Sequence, residues 1–93
     1  MKNNLISSHE IRVYETVRKS GDWLTAREIA ERSGVANRTA RHHARGLSET
    51  GVFDVAPVFG GYRYRIKTAL DPDATAYVAE IEAAKRIIGD FSQ

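Results

Sequence analysis

The 93-residue chain has no cysteine. Disulfides, thiolate nucleophiles and thiolate metal sites are therefore excluded. No apolar run approaches the roughly 20 residues a membrane helix needs. The opening MKNNLISSHE lacks the apolar region of a signal peptide, so a cytoplasmic protein without membrane association is expected. The sequence has no Gly-rich phosphate loop, no His-Glu-x-x-His and no suggestive Ser/His/Asp order, so no enzyme and no cofactor are expected. Carboxylates such as Glu28, Glu31 and Glu49 fit a solvated helix surface. His42 and His43 are adjacent and point about a quarter-turn apart on a helix, and His9 lies on another helix, so no metal site is expected.

What is present describes an ordinary folded domain, with 42% hydrophobic and 28% charged residues. A chain this short buries only a modest core, which dimerisation would augment. Net charge is +2, unevenly placed. Residues 1–70 carry 12 Lys/Arg against 7 Asp/Glu, a net +5, and residues 71–93 carry 2 against 5, a net −3. A basic body with an acidic tail points to an anionic partner for the body.

Ser7-x-x-Glu10 has the form of a capping box. Ile11, Val13, Tyr14 and Val17 follow as an apolar stripe, and Ser20-Gly21 closes this first helix. Asp22-Trp23-Leu24 reads as an extended link, with Trp23 a core or hinge residue. Thr25-x-x-Glu28 is a second capping box; Ala26, Ile29 and Ala30 face inward, and Ser33-Gly34 ends the second helix, with Val35 plugging the turn. A third helix runs from Ala36 or Asn37 to Thr50, with a buried stripe of Ala40, Ala44 and Leu47 and Gly51 as its C-terminal cap. Its other residues include Arg38, Arg41, His42, His43 and Arg45, with no acid before Glu49.

Two β runs, 52–59 and 62–67, flank Gly60-Gly61, a suitable two-residue hairpin turn. That turn pairs Phe59 with Tyr62, Pro57 with Tyr64 and Val55 with Ile66 on one face. The other face pairs Val58 with Arg63, Ala56 with Arg65 and Asp54 with Lys67. Pro57 cannot donate a ladder bond, so the first run is expected at a sheet edge. Asp71-Pro72-Asp73 starts a last helix. Leu70, Ala74, Tyr77, Ile81, Ala84, Ile88 and Phe91 follow an a/d heptad along it, a stripe suited to dimerisation, with packing on the chain's own domain as the alternative.

Helix, helix, Gly turn, helix and hairpin, in this order, resemble a winged helix-turn-helix. At residue level the chain resembles small transcriptional regulators of the arsenical-repressor and multiple-antibiotic-resistance-repressor type. The matching positions are Ala30 where two helices touch, Gly34 at the turn, the inner Ala40, Ala44 and Leu47, and Gly51-Val52 leading into the wing. Ala36 departs from the usual Ser or Thr cap, so Asn37 is expected to cap the third helix instead. His43 stands where an aliphatic residue is usual and is expected half-buried.

The resemblance implies an α+β fold: a three-helix core plus β-hairpin wing over residues 1–70, with an added C-terminal helix over 71–93. It also implies sequence-specific binding of double-stranded DNA as a homodimer, by a transcriptional regulator that represses. The third helix would lie in the major groove with Asn37, Arg38, Arg41 and His42 toward base edges. Thr39 and Arg45 would meet phosphates, as would Thr25 and Arg27 at the start of the second helix. Arg63 and Arg65 would reach out from the wing. A single surface arginine is as readily a solubilising cation; the clustering on one helix favours DNA. Two alternatives share these residues: an accessory protein of plasmid or phage replication, partition or transfer, and a winged-helix protein-interaction module that does not bind DNA.

Overall fold

The first helix, α1 (Ser8–Ser20), starts where the Ser7 hydroxyl accepts a hydrogen bond from the Glu10 N–H at 3.1 Å. Only this half of the expected capping box forms. The Glu10 carboxylate turns away from the helix start and accepts the hydroxyl of Tyr77. In this computed structural model, residues 6–88 are described. A short strand, β1 (Leu24–Thr25), leads into α2 (Ala26–Ser33). Here the box is complete: Glu28 N–H donates to the Thr25 hydroxyl at 3.2 Å, and Thr25 N–H donates to the Glu28 carboxylate at 2.9 Å.

After the turn at Gly34 comes α3 (Asn37–Glu49). Its N-cap is Ala36, with no side-chain hydrogen bond. The expected cap by Asn37 is therefore corrected. The Ala36 carbonyl already accepts the first helical bond, from Ala40 N–H at 2.9 Å, so Asn37 stands inside the helix with its side chain exposed. At the other end Thr50 is the C-cap and Gly51 follows at φ +86°. Gly51 N–H donates to Ser48 and Val52 N–H to Leu47, at 3.2 and 2.9 Å. This pair of bonds requires a left-handed residue between them, which glycine supplies without Cβ strain.

Strands β2 (Phe53–Val58) and β3 (Gly61–Ile66) form the hairpin, and the sheet order is β1-β3-β2. Pro57 thus lies on an edge strand. The register differs from the expected one by two residues: Val58 pairs with Gly61, Pro57 with Tyr62, Val55 with Tyr64 and Phe53 with Ile66. The turn is Phe59-Gly60, with Gly60 at φ +88°. A slip of two preserves which residues share a face, so the alternation was right while the partners were not. Two contacts at the base fit this register. Phe53 is buried with its ring centroid 6.5 Å from that of Tyr64, and Lys67 N–H donates to Val52 at 3.0 Å. β1 adds a third strand, with Leu24 opposite Tyr64 and Thr25 opposite Arg63.

One core joins all of these elements. Ile11, Val13 and Val17 of α1, Ile29 of α2, Ala40, Ala44 and Leu47 of α3, and Val52 are buried together with Ala74 and Ile81 from the last helix, α4 (Pro72–Ile88). Asp71 starts α4 by accepting the Ala74 N–H at 2.8 Å. α4 then runs along α1 in the same direction, with Tyr77 against Glu10 and Lys85 2.7 Å from Glu15. Of the heptad stripe, Ala74 and Ile81 are covered by the chain's own domain, and Leu70, Tyr77 and Ala84 pack partly against it. Ile88 is half exposed, its neighbour Ile87 is 83% exposed, and Phe91 lies outside the described residues. No described helix is long and apolar enough to cross a membrane.

Candidate nucleic-acid interface

Helix α3 backs onto the core with Ala40, Ala44 and Leu47. At 3.6 residues per turn, this sorts its polar residues by direction. Arg38, His42 and Arg45 project straight away from the core, all exposed. Asn37 and Arg41 turn toward the wing, and Thr39 turns to the opposite flank, partly covered. The expected base readers therefore divide into a central pair, Arg38 and His42, and a wing-side pair, Asn37 and Arg41.

The wing-side pair forms one wall of a cleft between α3 and the hairpin tip. Thr25, the N-cap of α2, and Arg27 within it close the cleft from that side, and Phe59, Tyr62 and Tyr64 form the opposite wall. Its volume is about 230 Å³, below the roughly 300–1,000 Å³ of small-molecule sites, and it opens to solvent as a groove. No carboxylate is among the described lining residues. Four sequence-predicted residues, Thr25, Arg27, Asn37 and Arg41, meet here with the tip of the hairpin.

The cations differ in their partners. Arg27 lies 3.8 Å from Glu31 and Arg45 3.6 Å from Glu49. Both pairs are well exposed helix-surface contacts, which hold a side chain only loosely. Among the described residues, Arg38 and Arg41 have no carboxylate within 4.0 Å. Burial pushes Tyr64 above its ordinary pKa, so its hydroxyl stays protonated. His43 is half-buried, as expected, with its ring 5.1 Å from that of His42 in an edge arrangement. Burial lowers its pKa, outweighing the Glu10 charge that pulls the other way, so at neutral pH it adds no charge to the face.

Arg63 and Arg65 sit elsewhere. They alternate with Tyr62, Tyr64 and Ile66, so they occupy the sheet face turned away from the cleft. Both guanidinium groups lie over the ring of Trp23, at 4.8 and 4.4 Å from its centroid, and Arg65 also stands 3.6 Å from Asp54 across the strands. The expectation of a core or hinge role for Trp23 is corrected. Its ring lies on the outer face of the sheet as a platform for two cations, because β1 aligns it across from β3. A two-residue strand leaves no periodicity to read, so only the β1–β3 register reveals this. Phe59 and Tyr62 were likewise missed as site residues; an aromatic beside a Gly turn was the available signal.

No family model matches the chain, and no curated protein matches it. Among solved structures it is similar to the crystal structure of the AntR antimony-specific transcriptional repressor. The TM-score is 0.59 over 95% of this chain and 87% of that one, at 16% sequence identity. A likeness of that extent at so low an identity shows the fold: an α+β winged helix-turn-helix in which β2 and β3 are the wing.

Proposed function

We propose that the chain binds double-stranded DNA sequence-specifically as a homodimer and regulates transcription, by repression in the simplest case. The observation that carries this reading is the exposed α3 face, whose Arg38 and Arg41 lack acidic partners among the described residues, beside a cleft with no lining carboxylate. The fold is shared with a transcriptional repressor. That protein's antimony specificity is its own; this chain has no cysteine to offer a soft metalloid.

In this reading α3 enters a major groove, about 12 Å wide. Arg38 and His42, at the centre of the exposed face, read base edges. The phosphate strand that separates the major from the minor groove lies in the cleft. Asn37 and Arg41, expected from the sequence at base edges, meet it instead because they turn toward the wing, together with Thr25 and Arg27. Thr39 contacts a phosphate on the far flank and Arg45 one beyond the C-terminal end of the outward face, and Arg63 and Arg65 strengthen the field of the wing. A second copy docks at the C-terminal end of α4, where Ile87 and Ile88 stay exposed, placing two α3 helices on one face of the duplex about one helical turn apart.

The test is fluorescence anisotropy with a random-sequence duplex across a salt series. Micromolar binding that weakens steeply with salt is expected. Arg41→Ala should weaken binding on all sequences and reduce the salt slope by about 1. No binding at low salt would overturn the reading and make the α3 arginines a protein-docking surface.

A further inference from the structure

The wing ends in an aromatic side chain with nothing to pack against. Phe59 occupies the first position of the two-residue turn and is fully exposed. Behind it, Tyr62 and Val55 are also exposed, at 58% and 47%, as is Pro57, and these three share one face of the hairpin. The same face is buried at its base by Phe53 and Tyr64 and runs out past the helical body to the tip. Soluble proteins rarely spend a contiguous apolar surface on solvent.

What surrounds the tip names the occupant. Phe59 and Tyr62 line the same cleft as Arg27, Asn37 and Arg41, with no carboxylate among its described lining residues. An apolar probe flanked by cations and an amide does not suit an apolar protein groove. It suits a polyanion whose interior is aromatic. If α3 lies in a major groove and the cleft straddles one phosphate strand, the tip next to that strand enters the neighbouring minor groove. Apolar side chains there separate a base step and kink the duplex toward the major groove.

We infer that Phe59 is a wedge that enters the minor groove of duplex DNA, unstacks a base step and bends the helix around the wing. The inference rests on the proposed DNA binding. Tyr62, beside it, covers the sugar edge of the opened step. Pyrimidine–purine steps such as TpA unstack most easily, so the protein gains sequence preference at a step where α3 makes no contact.

The experiment measures end-to-end energy transfer in labelled duplexes of about 30 bp, one with TpA steps and one with A-tracts at the wing positions. A 2-aminopurine placed at the TpA step reports unstacking. Wild type should shorten the end-to-end distance, raise the 2-aminopurine fluorescence and favour the TpA duplex. Phe59→Ser should bind with an unchanged salt slope while the bend, the fluorescence rise and the TpA preference disappear. Phe59→Leu should retain all three. Because Phe59 touches no core residue, circular dichroism of both variants should match wild type.

Wild type that binds without bending overturns the wedge and leaves DNA binding intact, as does Phe59→Ser that bends as wild type does. Self-association lost in Phe59→Ser, with DNA geometry unchanged, assigns the tip to a second copy and also overturns it. Wild type that binds neither duplex overturns the underlying reading, and the wedge with it.

Discussion

The seam between α1 and α4 and the cleft between α3 and the wing contain similar residues and use them in opposite ways. In the seam, Glu15 is 7% exposed and held by Arg18 at 2.5 Å and Lys85 at 2.7 Å, and Glu10 is held by Tyr77. Burial raises the Tyr77 pKa and the Glu10 hydrogen bond raises it further, so the phenol remains a donor. In the cleft, Arg41 and Asn37 face open space across from aromatic rings. A buried charge left without a partner is costly, so the seam must be closed by the chain itself. An exposed cation left without a partner costs little and stays available to a ligand. Buried pairing thus marks residues that hold the fold, while the exposed cations, whether unpaired among the described residues like Arg41 or loosely paired like Arg27, remain free to contact a ligand.

Variants should separate these two roles. Ile81→Ala removes a fully buried α4 side chain and should cost about 2–5 kcal/mol of stability in urea titration. DNA affinity per folded molecule should not change; a parallel loss of affinity would make the seam part of the binding device. Arg38→Ala should do the reverse. It should cost about 1–3 kcal/mol on a selected site and relax base preference, with stability moving by less than about 0.5 kcal/mol. Equal loss on specific and random duplexes would reduce Arg38 to a phosphate contact.

Glu15→Gln sharpens the contrast through pH. Burial raises the Glu15 pKa, but the hydrogen bonds from Arg18 and Lys85 outweigh it, and the net shift is below the ordinary 4.5. A depressed carboxylate contributes stability that is complete above its unfolded pKa and is lost as pH falls through the folded one. Glu15→Gln should therefore cost about 1–2 kcal/mol at neutral pH and flatten the decline of stability below pH 4.5, followed by thermal melts. An unaltered acid limb would show that the triad does not contribute. The smallest effect is expected for Trp23→Ala. It releases Arg63 and Arg65 at about 0.5–1 kcal/mol and should lower DNA affinity only slightly, in the same salt series. A large loss of specificity would move Trp23 from support to contact.

The elements whose chemistry is local were legible in the sequence. The Thr25/Glu28 box, the α3 stripe and the two wing faces follow from the spacing of a few residues. What escaped depended on contacts between distant segments. Glu10 prefers Tyr77, which lies 67 residues away, to its own helix start. Gly60-Gly61 and Phe59-Gly60 are both acceptable turns, and the register found is the one that places Phe53 opposite Ile66. The cations of α3 were visible as a cluster, but their division between an outward and a wing-side direction, and the stacking of Arg63 and Arg65 on Trp23, depend on where the sheet lies.

The turn after α3 has a consequence for how this sequence can drift. A methyl group on Gly51 would stand 3.5 Å from the Ala74 Cβ and 3.9 Å from the Asp71 carboxylate. The end of α3 and the start of the last helix therefore meet at two of the smallest side chains. Position 51 is strained for L-residues by its backbone angle rather than by lack of space, and position 74 is fully buried, so a larger side chain there must displace the core. In a library of variants selected for folding alone, the exposed Phe59 would accept many substitutions while positions 51 and 74 accepted few, an invariance owed to the fold.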